Sequence, residues 1–534
     1  MTAMIQTVFL LLAVIAAVAI LAQRLKTPRS IFLVIAGIGL ALIPGLPRIE
    51  LAPEAVLLVF LPPLIYSAGV AMSWREFRFN LRPIGLLAVG CVIFTTCVVA
   101  AAAHWLLGMD WAIGFLLGAI VAPPDVVAPL ALARRLGLPR RLLVVLEGEG
   151  LANDATALIL YRFAVVAVAT GAFSFSNAVG TFAAIVVCEI AYGIAVGWLS
   201  LRLRSWARNP RIEITLSLMT PYLAYWIPEH FGGSGVLAAV AAGLYVSWKG
   251  PLLISSATRL QGIFFWDLII YLIEGFVFLL TGLQARTLME RTQGFSLYDL
   301  LVATAIITAI VVIARFVWVF PATYVPRWIS PKLAKRDPSP PWRQVFVLAF
   351  TGVRGVVSLA AALAIPLTMA NGAPFPYRDT ILFITFGVIV ATLVGQGLML
   401  PSVIRFLGVA EAGKSEHRRE RKAELAARYD AVQAAFNHLG KIASKRKLSR
   451  KVLTLLKGRH HHRMQQLPND LDGDLPIALV NAELQIELIA AEREFLYRLL
   501  QDGKLTDEAR RRIERELDLE EEAIATRRER GASL

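Results

Sequence analysis

From residue 4 to about residue 408 the chain is a series of apolar runs, mostly 18–28 residues long, separated by short polar joints. Runs of that length match the roughly 30 Å hydrocarbon core of a bilayer when wound as helices. A bilayer accepts only helices or closed barrels, because every backbone polar group must be satisfied without water. Continuous apolar runs, without two-residue alternation, select helices. The composition agrees, with 57% hydrophobic and only 17% charged residues against roughly 45–50% and 25% in soluble domains. The fold class expected is therefore an all-α polytopic membrane protein. Beyond residue 410 the chain becomes highly charged, which divides it into a membrane domain, 1–410, and a helical cytoplasmic tail, 411–534.

About thirteen spans are expected, near residues 4–22, 30–46, 53–72, 83–107, 111–133, 142–170, 177–200, 212–228, 234–248, 262–284, 298–324, 344–369 and 380–408. Basic residues cluster in the joints after odd-numbered spans, for example Arg24, Lys26 and Arg29, or Arg134, Arg135, Arg140 and Arg141. The even-numbered joints, such as GMD and GAFSFSN, are nearly free of them. By the positive-inside rule the amino terminus is then outside and the carboxyl terminus cytoplasmic. The net charge of +15 is accounted for by topology and by attraction to anionic lipid, without nucleic acid. No secretory signal peptide is expected, since no basic region precedes the first apolar run. Cys91, Cys97 and Cys188 fall inside apolar runs without metal-type spacing and read as small core hydrophobes.

An odd span count has a consequence for symmetry. If spans one to six resemble spans eight to thirteen, the halves are inverted, a common transporter design. Spans five and twelve then correspond, and both carry helix breakers. Span five contains VAPPDVVAP, with Pro123, Pro124 and Pro129 around Asp125; span twelve contains TGVRGVVS, with Gly352 and Gly355 around Arg354, and Pro366 beyond. Two interrupted helices in corresponding positions point to a binding site near the midplane.

Span six, in LLVVLEGEGLANDATALILY (142–161), carries three carboxylates, each costing roughly 2.5–3.5 kcal/mol at a helix centre. Glu147, Gly150 and Asp154 share one helical face; Glu149 and Asn153 share the adjacent one. A desolvated carboxylate can hold either a proton or a monovalent cation, and competition between the two suffices for exchange. Asp154 is the expected carrier and Asp125 its companion at the break. Neutral Asn153 adds no second titratable charge, which favours electroneutral exchange. Arg315 cannot lose its proton and needs an acid, for which Glu149 is the natural candidate. Glu274 either lines a funnel or pairs with Arg162; Glu189 reads as structural.

These motifs resemble the monovalent cation/proton antiporters, in the sodium/proton exchanger branch of bacterial type. EGEGLANDATALILYRF is similar to the family's Glu-Ser-x-x-Asn-Asp stretch at Glu149, Gly150, Asn153 and Asp154. FLPPLIYSAG (60–69), GFVFLLTGLQ (275–284), ARFVWVFP (314–321) and TGVRGVVSLAAALAIP (351–366) match in order and spacing. The resemblance implies two inverted six-helix repeats whose broken helices cross at the ion site, a homodimer, and an elevator-like movement in the inner membrane. It implies that Asp154 binds cation or proton, that Asp125 matches the acid of a Thr-Asp motif, that Glu149 pairs with Arg315, and that Arg354 steadies the crossing. Two departures stand out. Pro124 occupies the place of the threonine and Gly150 that of the serine, so two hydroxyl ligands are missing; Na+ is the first expectation for the cation, with K+ or Li+ as alternatives. Glu147 is one candidate substitute for the lost oxygens. No cofactor is expected.

In the tail, Lys414–Lys451 holds twelve Lys or Arg against four Asp or Glu, a basic segment suited to anionic lipid. Two helices are expected after it, the first ended by Gly503 and the second capped by Thr506. RHHHR at 459–463, with His460–His462, is a candidate pH sensor or metal-binding cluster, though adjacent histidines seldom close a site alone. Two rival readings exist. GGSG at 232–235 resembles the Gly-x-Ser-Gly of rhomboid intramembrane proteases, with Ser234 as nucleophile, but no later span carries a histidine to serve as base. A cation channel would use similar acids; the paired breaks favour a gated carrier.

Overall fold

A computed structural model describes residues 2–25, 27–44, 51–171, 175–292, 296–369, 372–446, 449–465, 475–502 and 507–532. Lys26, Gly503, Thr506, the side chain of His462 and part of the GAFSFSN joint lie outside the described residues. The chain divides into two compact units, Met1–Ala410 and Glu411–Leu534.

The membrane unit begins with α1 (Thr2–Leu25), α2 (Arg29–Ala41), α3 (Ala55–Ala71) and α4 (Leu81–Leu107). A pair of half-helices follows, α5 (Trp111–Val121) and α6 (Val127–Arg135), then the long α7 (Arg140–Thr170) and α8 (Phe175–Ala207). Next come α9 (Pro210–His230), α10 (Val236–Leu253), α11 (Ser256–Arg291) and α12 (Leu297–Ile329). A second pair of half-helices, α13 (Trp342–Phe350) and α14 (Val356–Leu363), precedes α15 (Arg378–Phe406). Each of the expected segments contains a helix or a pair of half-helices among the described residues. Eight helices among the described residues are long and apolar enough to cross a membrane; the other segments are α9, 21 residues long but less apolar, the shorter α2 and α3, and the half-helices of spans five and twelve.

Both breaks fall where the breakers predict. Helix α5 stops at Val121, and Pro123 and Pro124 hold Ala122–Val126 out of the helix. Pro129 sits in the first turn of α6, where a missing N–H leaves nothing unpaired. Residues 351–355, with Gly352 and Gly355, separate α13 from α14. The two unwound stretches touch, for the Asp125 amide donates to the Val353 carbonyl at 2.6 Å.

Glycine pairs set two further crossings. A Cβ on Gly37 of α2 would sit 2.9 Å from Cα of Gly282 on α11; one on Gly69 of α3 would sit 3.3 Å from Cα of Gly243 on α10. Small residues let backbones approach where lipid supplies no hydrophobic drive between helices. The first pair joins spans two and ten, the second spans nine and three. Under an inverted six-helix repeat each crossing is the image of the other.

The cysteines need a correction. Cys91 is buried, but Cys97 and Cys188 are exposed on the outside of the bundle. Apolar periodicity does not separate a protein-facing from an outward-facing position in a helix that is hydrophobic all round.

The second unit contains the helix Val409–Arg446 from Glu411 onward, and helices Arg450–Gln465, Leu475–Gln501 and Asp507–Ala532. The last two pair through Ile489, Leu517 and Ile524, with Arg493 bonded to Asp518 at 2.6 Å. Residues 460–462 are helical, and the neighbouring side chains of His460 and His461 diverge by about 100°. No group of three His, Cys, Asp or Glu suited to a metal occurs among the described residues.

Candidate cation site

Helix α7 sorts its charges by face. Glu147, Gly150 and Asp154 line a cavity of about 1280 Å3, while Glu149 and Asn153 are fully buried against protein. Asp125, Pro124, Glu274 and Gly355 line the same cavity, and Arg134, Arg135 and Arg259, from basic joints, lie along it.

On the buried face, Glu149 forms a two-pronged pair with Arg315, one prong being 2.8 Å. Both side chains are nearly inaccessible, and the guanidinium also donates to the Leu348 carbonyl at 3.1 Å. This planar, bidentate geometry suits arginine and a carboxylate. The pair ties α7 to α12 and, through Leu348, to the first half of the broken span twelve.

Asn153, one turn on, donates its amide to the Pro124 carbonyl at 2.6 Å and accepts from the Asp154 amide at 2.7 Å. A carbonyl freed by the proline break is thereby satisfied without water. Arg354 serves the break in a similar way. Its guanidinium donates to the carbonyls of Val121 (2.9 Å), Ala122 (3.4 Å) and Gly352, and its amide donates to Thr392 Oγ1 at 3.0 Å. Its partners are carbonyls left open at the end of α5 and in its own break, not an acid; one cation replaces backbone bonds lost in both spans.

Asp125 Oδ1 accepts from the Val127 amide at 2.9 Å, at the start of α6. The positive ends of α6 and α14 both lie near this carboxylate, an arrangement that favours negative charge. Gly355 is required beside it, since a Cβ there would fall on the Asp125 carboxylate.

The other cavity acids are partnered. Glu147 accepts from Arg134 Nε at 3.2 Å and pairs with its terminal nitrogen, so it is not a spare ligand. Glu274 lines the cavity but pairs with Arg29, not Arg162, and Arg29 also stacks 4.3 Å from the Tyr271 ring centre. Arg162 instead meets Glu229 of α9 at 2.5 Å. These pairings depend on which joints meet in space, information that helical periodicity does not carry. Asp154 differs from them: among the described residues its carboxylate has no hydrogen-bonding or ionic partner.

The protease reading loses its nucleophile. Ser234 is fully buried, and its Oγ donates to Glu189 at 3.1 Å. Glu189 also accepts from the amides of Ser234, Gly235 and Leu237, at 2.5, 3.1 and 3.2 Å. It caps α10 from a neighbouring helix, and a carboxylate already accepting three backbone amides is too weak a base to activate the serine.

The family model "Sodium/hydrogen exchanger, transmembrane" matches residues 10–406. The chain is 36% identical over 441 residues to a protein named as a Na+/H+ exchanger of Mycobacterium tuberculosis, covering 80% of each. It is 34% identical over 377 residues to the sodium, potassium, lithium and rubidium/H+ antiporter of Bacillus pumilus, covering 68% of this chain and 56% of that one. In fold it resembles the sodium proton antiporter MjNhaP1 of Methanocaldococcus jannaschii, with a TM-score of 0.61 at 20% identity, over 76% of this chain and 98% of the other. The span pattern, the crossed breaks and these matches agree: the chain belongs to the sodium/hydrogen exchanger family of transmembrane antiporters.

Proposed function

We propose that this antiporter exchanges protons for Na+ or K+ with Asp154 as the shared carrier, one ligand displacing the other in each half-cycle. The observation that carries this reading is the contrast within one cavity. Glu147, Glu274 and Asp125 each have a protein donor, whereas Asp154 has none among the described residues. Asp125 and backbone carbonyls of the break complete a shell from which the Pro124 and Gly150 positions contribute no hydroxyl. Such a shell discriminates weakly between Na+ and K+, in keeping with the name of the Bacillus relative. With Asn153 neutral and Glu149 held by Arg315, one titrating carboxylate exchanges one charge for one, and transport is electroneutral.

Access is one-sided, which favours a carrier over a channel. Along α7 the cavity lining ends at Asp154; beyond lie buried Leu158 and the Arg162–Glu229 pair. Opening to the other face requires movement of α7 and its bundle. By the positive-inside pattern the cavity faces the cytoplasm of a plasma membrane, with the amino terminus outside. The basic segment 414–451 rests on anionic lipid, and the protein works as a homodimer.

The test uses proteoliposomes with an acid interior, to which Na+, Li+ or K+ is added outside. Internal pH should rise with at least one cation in the wild type and stay unchanged in Asp154→Asn. Exchange retained by that variant would remove Asp154 from the role. Proton movement insensitive to every cation would remove exchange itself.

A further inference from the structure

Away from the cation cavity, three arginines converge on one acid at the ends of the bundle. Asp337 Oδ2 accepts from Arg82 at 2.9 Å and from Arg327 at 2.8 Å, while Oδ1 accepts from Arg141. Arg327 Nε also donates to the Asp337 carbonyl at 3.0 Å. One carboxylate against three guanidinium groups leaves two positive charges uncompensated within the cluster. Asp337 and Arg327 are buried, so water screens this surplus poorly. Nη1 of Arg82 is moreover buried without a hydrogen-bond partner, and an orphaned buried donor calls for an explanation.

The same three arginines line a cleft of about 60 Å3 together with Thr323, Gln344 and the apolar Leu86 and Leu142. All its polar side chains can donate, and no carboxylate lines it. We propose that this cleft binds a phosphate group. A phosphate offers several acceptor oxygens and charge opposite to the surplus, and the guanidinium fork matches it bidentately. Arg82, Arg141 and Arg327 all come from joints that the charge pattern assigns to the cytoplasmic face, where both anionic headgroups and soluble phosphates occur. The apolar walls suit the first carbons of an acyl chain. This place is separate from the basic segment 414–451.

The consequence concerns the bundle. Arg82 begins α4, Arg141 begins α7 and Arg327 ends α12. A phosphate held among them clamps together the helices that carry Asp154, Glu149 and Arg315, and so stabilises the folded bundle.

The experiment is thermal unfolding of the full chain in neutral detergent with four additions: short-chain phosphatidylglycerol, glycerophosphoglycerol, inorganic phosphate, and short-chain zwitterionic phosphatidylcholine. Chloride at matched ionic strength is the baseline. The cleft predicts a saturable rise in unfolding temperature with phosphatidylglycerol. Arg82→Gln should weaken the apparent affinity by about tenfold or more, the scale of one lost charge-assisted bond. Arg75→Gln, which removes an exposed arginine of the same joint, should leave it unchanged. A matching response to glycerophosphoglycerol or inorganic phosphate identifies the soluble group as a sufficient ligand; a response to phosphatidylglycerol alone identifies the lipid. Equal stabilisation by phosphatidylcholine, or wild-type affinity in Arg82→Gln, overturns the site. Arg82→Lys keeps a charge opposite Asp337 and lacks the orphan donor, and it provides the same comparison if the glutamine variant does not fold.

Discussion

Asn153 donates its side-chain amide to the carbonyl of Pro124 at 2.6 Å, fastening the intact helix α7 to the broken span beside it. Alanine at 153 should leave that carbonyl unsatisfied and cost about 1–3 kcal/mol. Aspartate should be worse, because it removes the donor and turns a carboxylate toward a carbonyl oxygen. The predicted order of unfolding temperatures is wild type, Asn153→Ala, Asn153→Asp. An aspartate variant as stable as wild type would show that this bond does not hold the break.

The Glu149–Arg315 pair is a buried ion pair with almost no solvent contact. Removing one partner, as in Glu149→Ala, should destabilise by about 3–5 kcal/mol, because the remaining guanidinium stays buried and uncompensated. Glu149→Leu combined with Arg315→Met should recover much of that loss, since apolar replacements can match such a pair. Recovery will be incomplete, as the Leu348 carbonyl loses the guanidinium and keeps only the Thr351 hydroxyl as its side-chain donor. The double variant is compared with both singles by thermal unfolding. A double variant less stable than either single would contradict the assignment of the pair as structural.

That pair was legible in the sequence because charge in an apolar span is costly and few partners are available. Span positions, the two breaks and the two faces of α7 were readable for similar reasons: hydropathy, proline and helical periodicity are local signals. The pairs Arg29–Glu274, Arg134–Glu147 and Arg162–Glu229 were not, because each joins segments whose proximity is set by the fold. Asp337 was missed altogether. In KRDPSPPW it looks like one charge in a solvated joint, and only three-dimensional packing brings Arg82 and Arg141 to it. The matching glycine crossings at Gly37–Gly282 and Gly69–Gly243 follow from inverted symmetry, yet each glycine alone is unremarkable in a membrane helix.

Gly355 has an extended backbone, φ −138° and ψ −158°, so its conformation alone does not demand glycine. Space does, since a Cβ would fall on the Asp125 carboxylate. Gly355→Ala should therefore displace Asp125 and raise the apparent KM for the cation by about tenfold, a loss near 1.4 kcal/mol, with the protein still folded. Gly39→Ala, where the added Cβ meets nothing within 4 Å, is the control and should transport normally. The measurement is cation-dependent proton flux across a concentration series. An unchanged KM in Gly355→Ala would mean that Asp125 does not bear on cation binding.

Gly150 raises a question of selectivity. A Cβ there would collide with the side chain of Val126, so the valine occupies the space that a serine at 150 would need. Gly150→Ser alone should destabilise the protein by about 1–3 kcal/mol through overpacking and impair transport. Val126→Ala with Gly150→Ser should relieve the collision and bring a hydroxyl oxygen to the face of α7 that carries Asp154. An added neutral oxygen ligand in a tighter shell favours the smaller ion, so the double variant should prefer Na+ over K+ more strongly than wild type. Proton flux driven by each cation at matched concentration reads this ratio directly. A double variant that folds and transports with the wild-type ratio would show that selectivity is set elsewhere than at this face of α7.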